Sequence, residues 1–71
     1  MTDNPVYAVT QVVGTSDKGL GDAIQNAVTM ASKSMRNLSW FEVEEVRGHI
    51  DNAKVTSYQV ALKLGFRYTS E

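Results

Sequence analysis

Apolar and polar residues alternate over two long stretches in the second half of the chain, and this period of two predicts a β-hairpin. The predicted strands are Ser39–Ile50 and Lys54–Tyr68, and Asp51-Asn52-Ala53 supplies turn-forming residues between them. In the later strand one parity is apolar and should face a core. That parity holds Tyr58, Val60, Leu62, Leu64, Phe66 and Tyr68.

The earlier strand changes its apolar parity partway along. Phe41 and Val43 lie on one parity, whereas Val46 and Ile50 lie on the other. A β-bulge near Glu44 would add one residue and bring all four apolar side chains to the core face. We therefore predict a bulge here, and an uninterrupted ladder along this strand would contradict it.

With that bulge, the opposite face of the hairpin is polar except for one indole. It carries Trp40, Glu42, Arg47 and His49 from the earlier strand and Gln59, Lys63 and Arg67 from the later one. The predicted cross-strand pairs are Phe41 with Leu64, Trp40 with Gly65 and Glu42 with Lys63. The glycine would leave room beside the indole, and the charges of the last pair match.

The first half of the chain predicts one strand and one helix. Val6–Val13 is rich in β-branched residues, and Asp17–Asn37 has apolar residues at helical spacing, with Thr15 or Ser16 expected as the cap. The apolar stripe contains Leu20, Ala23, Ile24, Ala27, Ala31, Met35 and Leu38. The helix would be about 30 Å long and each hairpin arm about 40 Å. One helix cannot cover such a hairpin, so we expect other copies of the chain to cover the rest.

Composition limits the class of protein. The 71 residues include no cysteine and one histidine, so we predict a single domain over residues 1–71 without disulfides or a metal site. A core this small favours self-association as a supplement. The net charge of −1 argues against nucleic-acid binding. Since no apolar run or signal-peptide pattern indicates a membrane or export, we expect a cytoplasmic protein.

Trp40 is the main candidate for ligand binding, because an indole on a polar face must meet another subunit or a ligand. The sequence leaves both readings open. Gln59 could bond the edge of a heterocycle, or it could simply be solvated. Arg47 and Arg67 could hold a phosphate, or they could pair across strands with neighbouring glutamates. These residues do not form a catalytic set, so we do not predict an enzyme.

Trp40 and Gln59 are expected to lie far apart in one chain. Gly65, opposite Trp40, and Gln59 are six positions apart on one strand, which is about 20 Å. A small ring system that touches both Trp40 and Gln59 must therefore lie between two subunits.

Four blocks of the sequence together resemble the dodecin family of small flavin-binding proteins. They are VVGTS at 12–16, AIQNAV at 23–28, LSWFEVEEVRGHI at 38–50 and YQVALKLGFR at 58–67. The resemblance implies an α+β fold with a β-α-β-β protomer, a three-stranded antiparallel sheet packed around one helix, and a hollow homododecamer. It also implies flavin pairs between symmetry-related tryptophans, with Trp40 stacked on the ring and Gln59 bonded to it.

By the same resemblance, Arg47 and Arg67 match arginines associated with the FMN phosphate in bacterial-type members. An arginine at position 47 points to FMN, while riboflavin, FAD and coenzyme A as a second ligand stay open. The implied role is storage, buffering and photoprotective quenching of flavin without turnover. The rival hypotheses are a flavin-dependent redox enzyme and a structural shell that binds no flavin.

Overall fold

The computed structural model describes residues 4–68, which form three strands and one helix. The elements are β1 (Val6–Ser16), α1 (Leu20–Ala31), β2 (Leu38–Asp51) and β3 (Lys54–Tyr68). The strands form one antiparallel sheet in the order β1-β3-β2, so β3 is central. This arrangement confirms the predicted α+β fold and its β-α-β-β order. Within these residues, no helix combines the length and the hydropathy that crossing a membrane requires.

The core lies between α1 and the central strand. Ala23 and Ala27 of the helix are buried against Val60, Leu62 and Leu64 of β3, which belong to the parity predicted to face the core. Partly buried around them are Val12, Ile24, Val28, Ala31 and Leu38. Because the helix contributes small side chains at the centre, its backbone approaches the sheet closely and the buried apolar area is modest.

Gly14 marks the point where α1 comes closest to β1. A Cβ atom at this position would lie less than 3.0 Å from both the carbonyl oxygen of Ala23 and the Cβ of Ala27. Cβ atoms do not come this close to other heavy atoms in proteins, so a larger residue would push the helix away from the strand.

The first strand runs further than predicted and ends at Ser16 rather than Val13. The residues from Gly14 onward keep their antiparallel pairing with β3, so the glycine does not end the strand. The predicted helix cap is also wrong, since α1 has no side-chain cap. Ser16 instead closes the loop before the helix, where its Oγ accepts hydrogen bonds from the backbone N–H groups of Lys18 at 2.8 Å and Gly19 at 3.4 Å.

The predicted helix Asp17–Asn37 is wrong at both ends, because α1 has only 12 residues. After Ala31 the chain makes turns, and the N–H groups of Ser34 and Met35 both donate to the Ala31 carbonyl, at 3.1 and 2.9 Å. Asn37 then adopts a left-handed φ of 66°, which a helix cannot continue through and which asparagine tolerates. A helix of this length is about 18 Å long and covers even less of the sheet than expected.

The predicted bulge in β2 is confirmed. The register of β2 against β3 shifts between Val43 and Glu45. On the two sides of the shift, Val43 lies opposite Leu62 and Val46 lies opposite Val60, so the apolar residues of β2 stay on the helix side. All three predicted cross-strand pairs are present.

The hairpin turn lies at the predicted place. Asn52 and Ala53 both have a positive φ, of 56° and 65°, which suits the twist of a two-residue hairpin turn. Beside the turn the register shifts again, between His49 and Ile50, and Ile50 pairs with Val55. Neither this irregularity nor a third shift, between Leu38 and Trp40, was predicted, because a single apolar residue is too little to reveal a change of parity.

β2 lies beyond the part of the sheet that the helix covers. α1 packs on β1 and β3. Phe41, Val46 and Ile50 are on the helix side of the sheet, yet they are 51%, 54% and 70% exposed in a single chain. They form an uncovered apolar strip, which supports the predicted self-association.

Gly14→Ala should destabilise the fold, because the new Cβ forces α1 away from β1. We expect the free energy of unfolding to fall by about 1–3 kcal/mol, the usual cost of overpacking. Denaturant unfolding at one fixed protein concentration measures this, since the stability of an oligomer depends on concentration. Gly21→Ala is the control, because a Cβ there meets nothing within 4 Å and alanine favours the helix. Wild-type stability of Gly14→Ala would contradict the close packing.

Candidate functional site

The sheet packs one face on α1 and turns the other face away, and we call the latter the open face. Side chains alternate between the faces along a strand, and directly paired residues share a face. Because Val60, Leu62 and Leu64 face the helix, the residues between them lie on the open face. The open face includes Tyr7, Val9, Gln11, Val13 and Thr15 of β1, Ser57, Gln59, Ala61, Lys63, Gly65 and Arg67 of β3, and Trp40, Glu42, Glu45, Arg47 and His49 of β2.

Trp40 lies over Gly65 at one end of the open face. The two residues pair across β2 and β3, and a Cβ at Gly65 would overlap the indole. The ring of Tyr7 lies beside the indole, with centroids 6.2 Å apart and planes inclined by 49°. Trp40 is still 42% exposed in a single chain, so its ring is supported on one side and open on the other. Sequence reasoning missed Tyr7, because only the order of the strands brings it near Trp40.

The bulge directs Glu44 onto the open face, where it connects all three strands. Its Oε1 accepts a hydrogen bond from Nε2 of Gln11 at 2.7 Å, and its Oε2 lies 3.3 Å from Nζ of Lys63. Lys63 therefore forms its ion pair with Glu44. Glu42 lies directly opposite Lys63, as predicted, but the charge match expected for that pair is made by Glu44 instead. Gln11 was not singled out from the sequence, since its place depends on the position of β1 in the sheet.

The four residues predicted to bind the ligand form two pairs rather than one cluster. Trp40 and Arg67 lie at one end of the open face, where Arg67 is two positions from Gly65 on the same strand. Arg47 and Gln59 pair directly at the other end. The six positions between Gly65 and Gln59 separate the two ends by about 20 Å within one chain.

Arg47 contacts a glutamate, but not across the strands as one of the two predicted readings requires. Its Nη1 lies 3.7 Å from Oε1 of Glu45, and this contact runs along β2 rather than across strands. The two side chains are 58% and 66% exposed, so the pair contributes little to stability. The guanidinium therefore stays accessible to an anion.

A single chain does not enclose the outer side of the Trp40 ring, since the residue is 42% exposed. The cavity that Trp40 helps to line lies on the helix side of the sheet, where it touches Val28, Leu38 and Phe41, and its volume is only about 140 Å³. Pockets for small organic ligands usually measure about 300–1,000 Å³. A flat ligand on Trp40 would need a second chain to enclose it.

His49 is placed opposite Ser57 near the hairpin turn. Among residues 4–68, histidine, aspartate and glutamate side chains do not gather in threes to form a candidate metal site.

The fold and the open face define a class of small α+β proteins in which one short helix covers part of a long sheet. Comparison with known proteins identifies the family within this class. The family model described as Dodecin matches residues 6–69. The dodecin of Thermus thermophilus is 53% identical over 62 residues, which cover 87% of this chain and 90% of that protein. The chain belongs to the dodecin family.

Solved structures agree with this assignment. The dodecin of Streptomyces coelicolor is 51% identical, with a TM-score of 0.90 over 99% of this chain and 100% of that one. The calcium dodecin of Mycobacterium tuberculosis, described as a calcium-chelating antigen, is 27% identical, with a TM-score of 0.77 over 93% and 94% of the two chains. T. thermophilus dodecin has also been solved with a single substitution at a tryptophan or at either of two arginines.

Dodecins are small flavin-binding proteins that form multimers, and they are not enzymes. Membership therefore supports flavin binding in general, and self-association, for this chain. The assignment of Trp40, Arg47, Gln59 and Arg67 to the ligand stays a prediction.

Proposed function

We propose that this chain binds and stores FMN, with the flavin ring stacked on Trp40 at contacts between subunits of a homododecamer. The observation that carries the proposal is the half-exposed indole, which rests on Gly65 and leaves its outer side open. The isoalloxazine ring is flat and aromatic, and stacking of such a ring on an aromatic side chain contributes about 1–3 kcal/mol.

Two features favour a site shared between copies of the chain. Trp40 and Gln59 lie about 20 Å apart in one protomer, which exceeds the length of a three-ring system. The outer side of the indole is also uncovered in a single chain, where Trp40 is 42% exposed, so a second chain would have to enclose the ring. A neighbouring copy would supply Gln59, whose amide can donate to and accept from the polar edge of the flavin.

The arginines favour a ligand with a phosphate. Arg67 lies two positions from Gly65 on β3 and Arg47 pairs with Gln59, so each end of the open face carries one arginine. Guanidinium groups bind phosphate by charge-assisted, often bidentate hydrogen bonds. This favours FMN over riboflavin, and coenzyme A as a second ligand would use the same chemistry.

The residues substituted in T. thermophilus dodecin match three of these side chains in type and spacing. The altered tryptophan and arginines of that protein are separated by seven and then twenty positions. Trp40, Arg47 and Arg67 have the same spacing, so they are the counterparts of the substituted residues.

The surroundings of Trp40 suit storage rather than catalysis. Its neighbours on the open face are the ring of Tyr7 and the backbone of Gly65, and Arg67 follows two positions after Gly65 on β3. The indole can also donate an electron to a photoexcited flavin and take it back, which quenches the excited state and leaves no net change. We place this buffering and photoprotective role in the cytoplasm.

Calcium binding is a second function known from a relative, but the described part of this chain does not favour it. The M. tuberculosis relative is described as having a novel calcium-binding site. In residues 4–68 of this chain, acidic side chains do not form a group of three that could hold a metal ion.

Trp40→Ala should weaken FMN binding by about 10- to 100-fold, because it removes the stacking surface. The assembly should stay intact, as size-exclusion chromatography would show. Titration of FMN fluorescence with apo-protein measures the affinity, and Trp40→Phe should retain part of it because a ring remains. Wild-type FMN affinity in an intact Trp40→Ala assembly would refute stacking.

Arg47→Ala and Arg67→Ala should each weaken FMN binding about tenfold and leave riboflavin binding within about twofold, because only FMN carries a phosphate. Parallel titrations with the two flavins measure this difference. Lys33→Ala removes the same charge from the exposed segment after α1 and should change neither affinity. An equal loss for both flavins would assign the arginines to the fold instead of the phosphate.

Mixed assemblies test whether one site draws on two subunits. Trp40→Ala and Gln59→Ala should each bind FMN weakly when assembled alone. Co-assembly of the two variants should restore some tight sites, because a Trp40 from one subunit then meets a Gln59 from another. Titration before and after the subunits are mixed by joint refolding measures the recovery. If no tight sites return in verified mixed assemblies, the two residues do not share a ligand across subunits.

A further inference from the structure

We propose that Gly65 and Tyr7 are positioning residues that fix the plane of the Trp40 indole, so that each chain presents one stacking face in a set orientation. The inference rests on the proposed function for its ligand. The placement of the indole itself can be tested without a ligand.

The indole meets Gly65 with its face and not with its edge. A Cβ built on Gly65 would lie less than 3.0 Å from Cε2, Cζ2 and Cδ2 of Trp40, and Cε2 would be the nearest atom. Cε2 is a ring-fusion atom whose three bonds occupy the plane around it. Another atom can come closest to it only from above or below the ring. The indole therefore lies flat across Gly65, in the space that the Cβ of any other residue would fill.

This contact makes the two faces of the indole unequal. Gly65 is buried although it belongs to the open face, because the indole covers it. Trp40 is nevertheless 42% exposed in a single chain. The inner face of the ring is therefore occupied by the backbone of β3, and the outer face is the one that a flat ligand can reach.

Tyr7 limits the sideways movement of the indole, which the contact with Gly65 does not prevent. The Trp40 side chain starts from β2 and extends across β3 toward β1. On β1, Tyr7 pairs with Arg67, which lies two positions from Gly65 on β3. The centroid distance of 6.2 Å and the 49° tilt are within the range of aromatic pairs that contribute about 0.5–1.5 kcal/mol. A swing of the indole across the sheet toward β1 would meet the phenol ring.

An indole whose orientation is fixed in the free protein should bind a flat ligand more tightly than a mobile indole. A ligand that stacks on a freely rotating indole must first restrict its rotamers, which lowers the affinity. With Gly65 below and Tyr7 at the side, that restriction is already present in the free protein. The two residues act through Trp40 and need no contact with the ligand.

Time-resolved fluorescence anisotropy of the flavin-free assembly is the first test, because Trp40 is the only tryptophan in the chain. The wild-type protein should lack a fast, sub-nanosecond loss of anisotropy, since its indole is fixed. Gly65→Ala and Tyr7→Ala should both gain this fast phase. Tyr7→Phe should behave like the wild type, because it keeps the ring. Gly21→Ala is the matched glycine control, since a Cβ there meets no atom within 4 Å.

FMN titration of the same variants is the second test. Gly65→Ala should weaken binding more than tenfold, and Tyr7→Ala about three- to tenfold in line with the strength of an aromatic pair. Tyr7→Phe should stay within about twofold of the wild type. A loss with Tyr7→Phe equal to that with Tyr7→Ala would overturn the role of the ring, because a hydroxyl contact would then explain the effect.

The two tests separate this inference from the proposed function. If Tyr7→Ala and Gly65→Ala show no fast depolarisation in intact assemblies, the inference is wrong whatever happens with flavin. If the fast phase appears as expected but the wild-type protein does not bind FMN, the positioning of the indole stands and the FMN proposal fails. Tyr7→Ala keeps the first test decisive if Gly65→Ala does not assemble.

Discussion

The bulge in the middle of β2 is the constraint on which both faces of the sheet depend. Side chains alternate strictly along a strand, so without the extra residue every position after Glu44 would change face. Arg47 would then turn toward the helix side, and Val46 would join the polar side chains of the open face. The bulge interrupts the ladder, and Glu44 offsets part of that cost by connecting β2 to both β1 and β3. One inserted residue thus keeps the core apolar and leaves the indole and the guanidinium groups on one surface.

On the helix side of the sheet, α1 covers only part of the apolar surface, and burial of the rest favours association with other chains. β3 has 15 residues and extends about 50 Å, whereas the 12 residues of α1 extend about 18 Å. The buried apolar residues of the core, among those described, are two alanines, one valine and two leucines, which is a small core for the number of residues that must be ordered. The apolar strip of β2 supplies further area, but only when another chain covers it.

The strands could be predicted closely, and the helix could not. The alternation along β2 and β3, together with one break in parity, predicts the register of the central pairs, because a slip by one residue would move every apolar side chain to the other face. The register shifts near the two ends of β2 leave no such signal in the sequence. The helix ends depend on weaker preferences. Residues 32–37 are compatible with a helix by composition, yet the chain turns at residues 32–34 and Asn37 adopts a left-handed backbone that no helix contains. Trp40 and Gly65 could be paired from the hairpin alone. Tyr7 and Gln11 could not be placed, since they reach the site only through the position of β1 beside β3.

Under the proposed function, the separation of Trp40 and Gln59 couples ligand binding to assembly. A ligand that touches both residues binds the associated chains and not the single chain. It therefore stabilises the assembly by RT ln(1 + [L]/Kd) for each site. The coupling works in both directions, because whatever strengthens the contacts between chains also raises the apparent affinity for the ligand. For a chain with so small a core, bound flavin would then contribute to the stability of the assembly. The assembled form would be both the most stable form and the one with the highest affinity for the ligand.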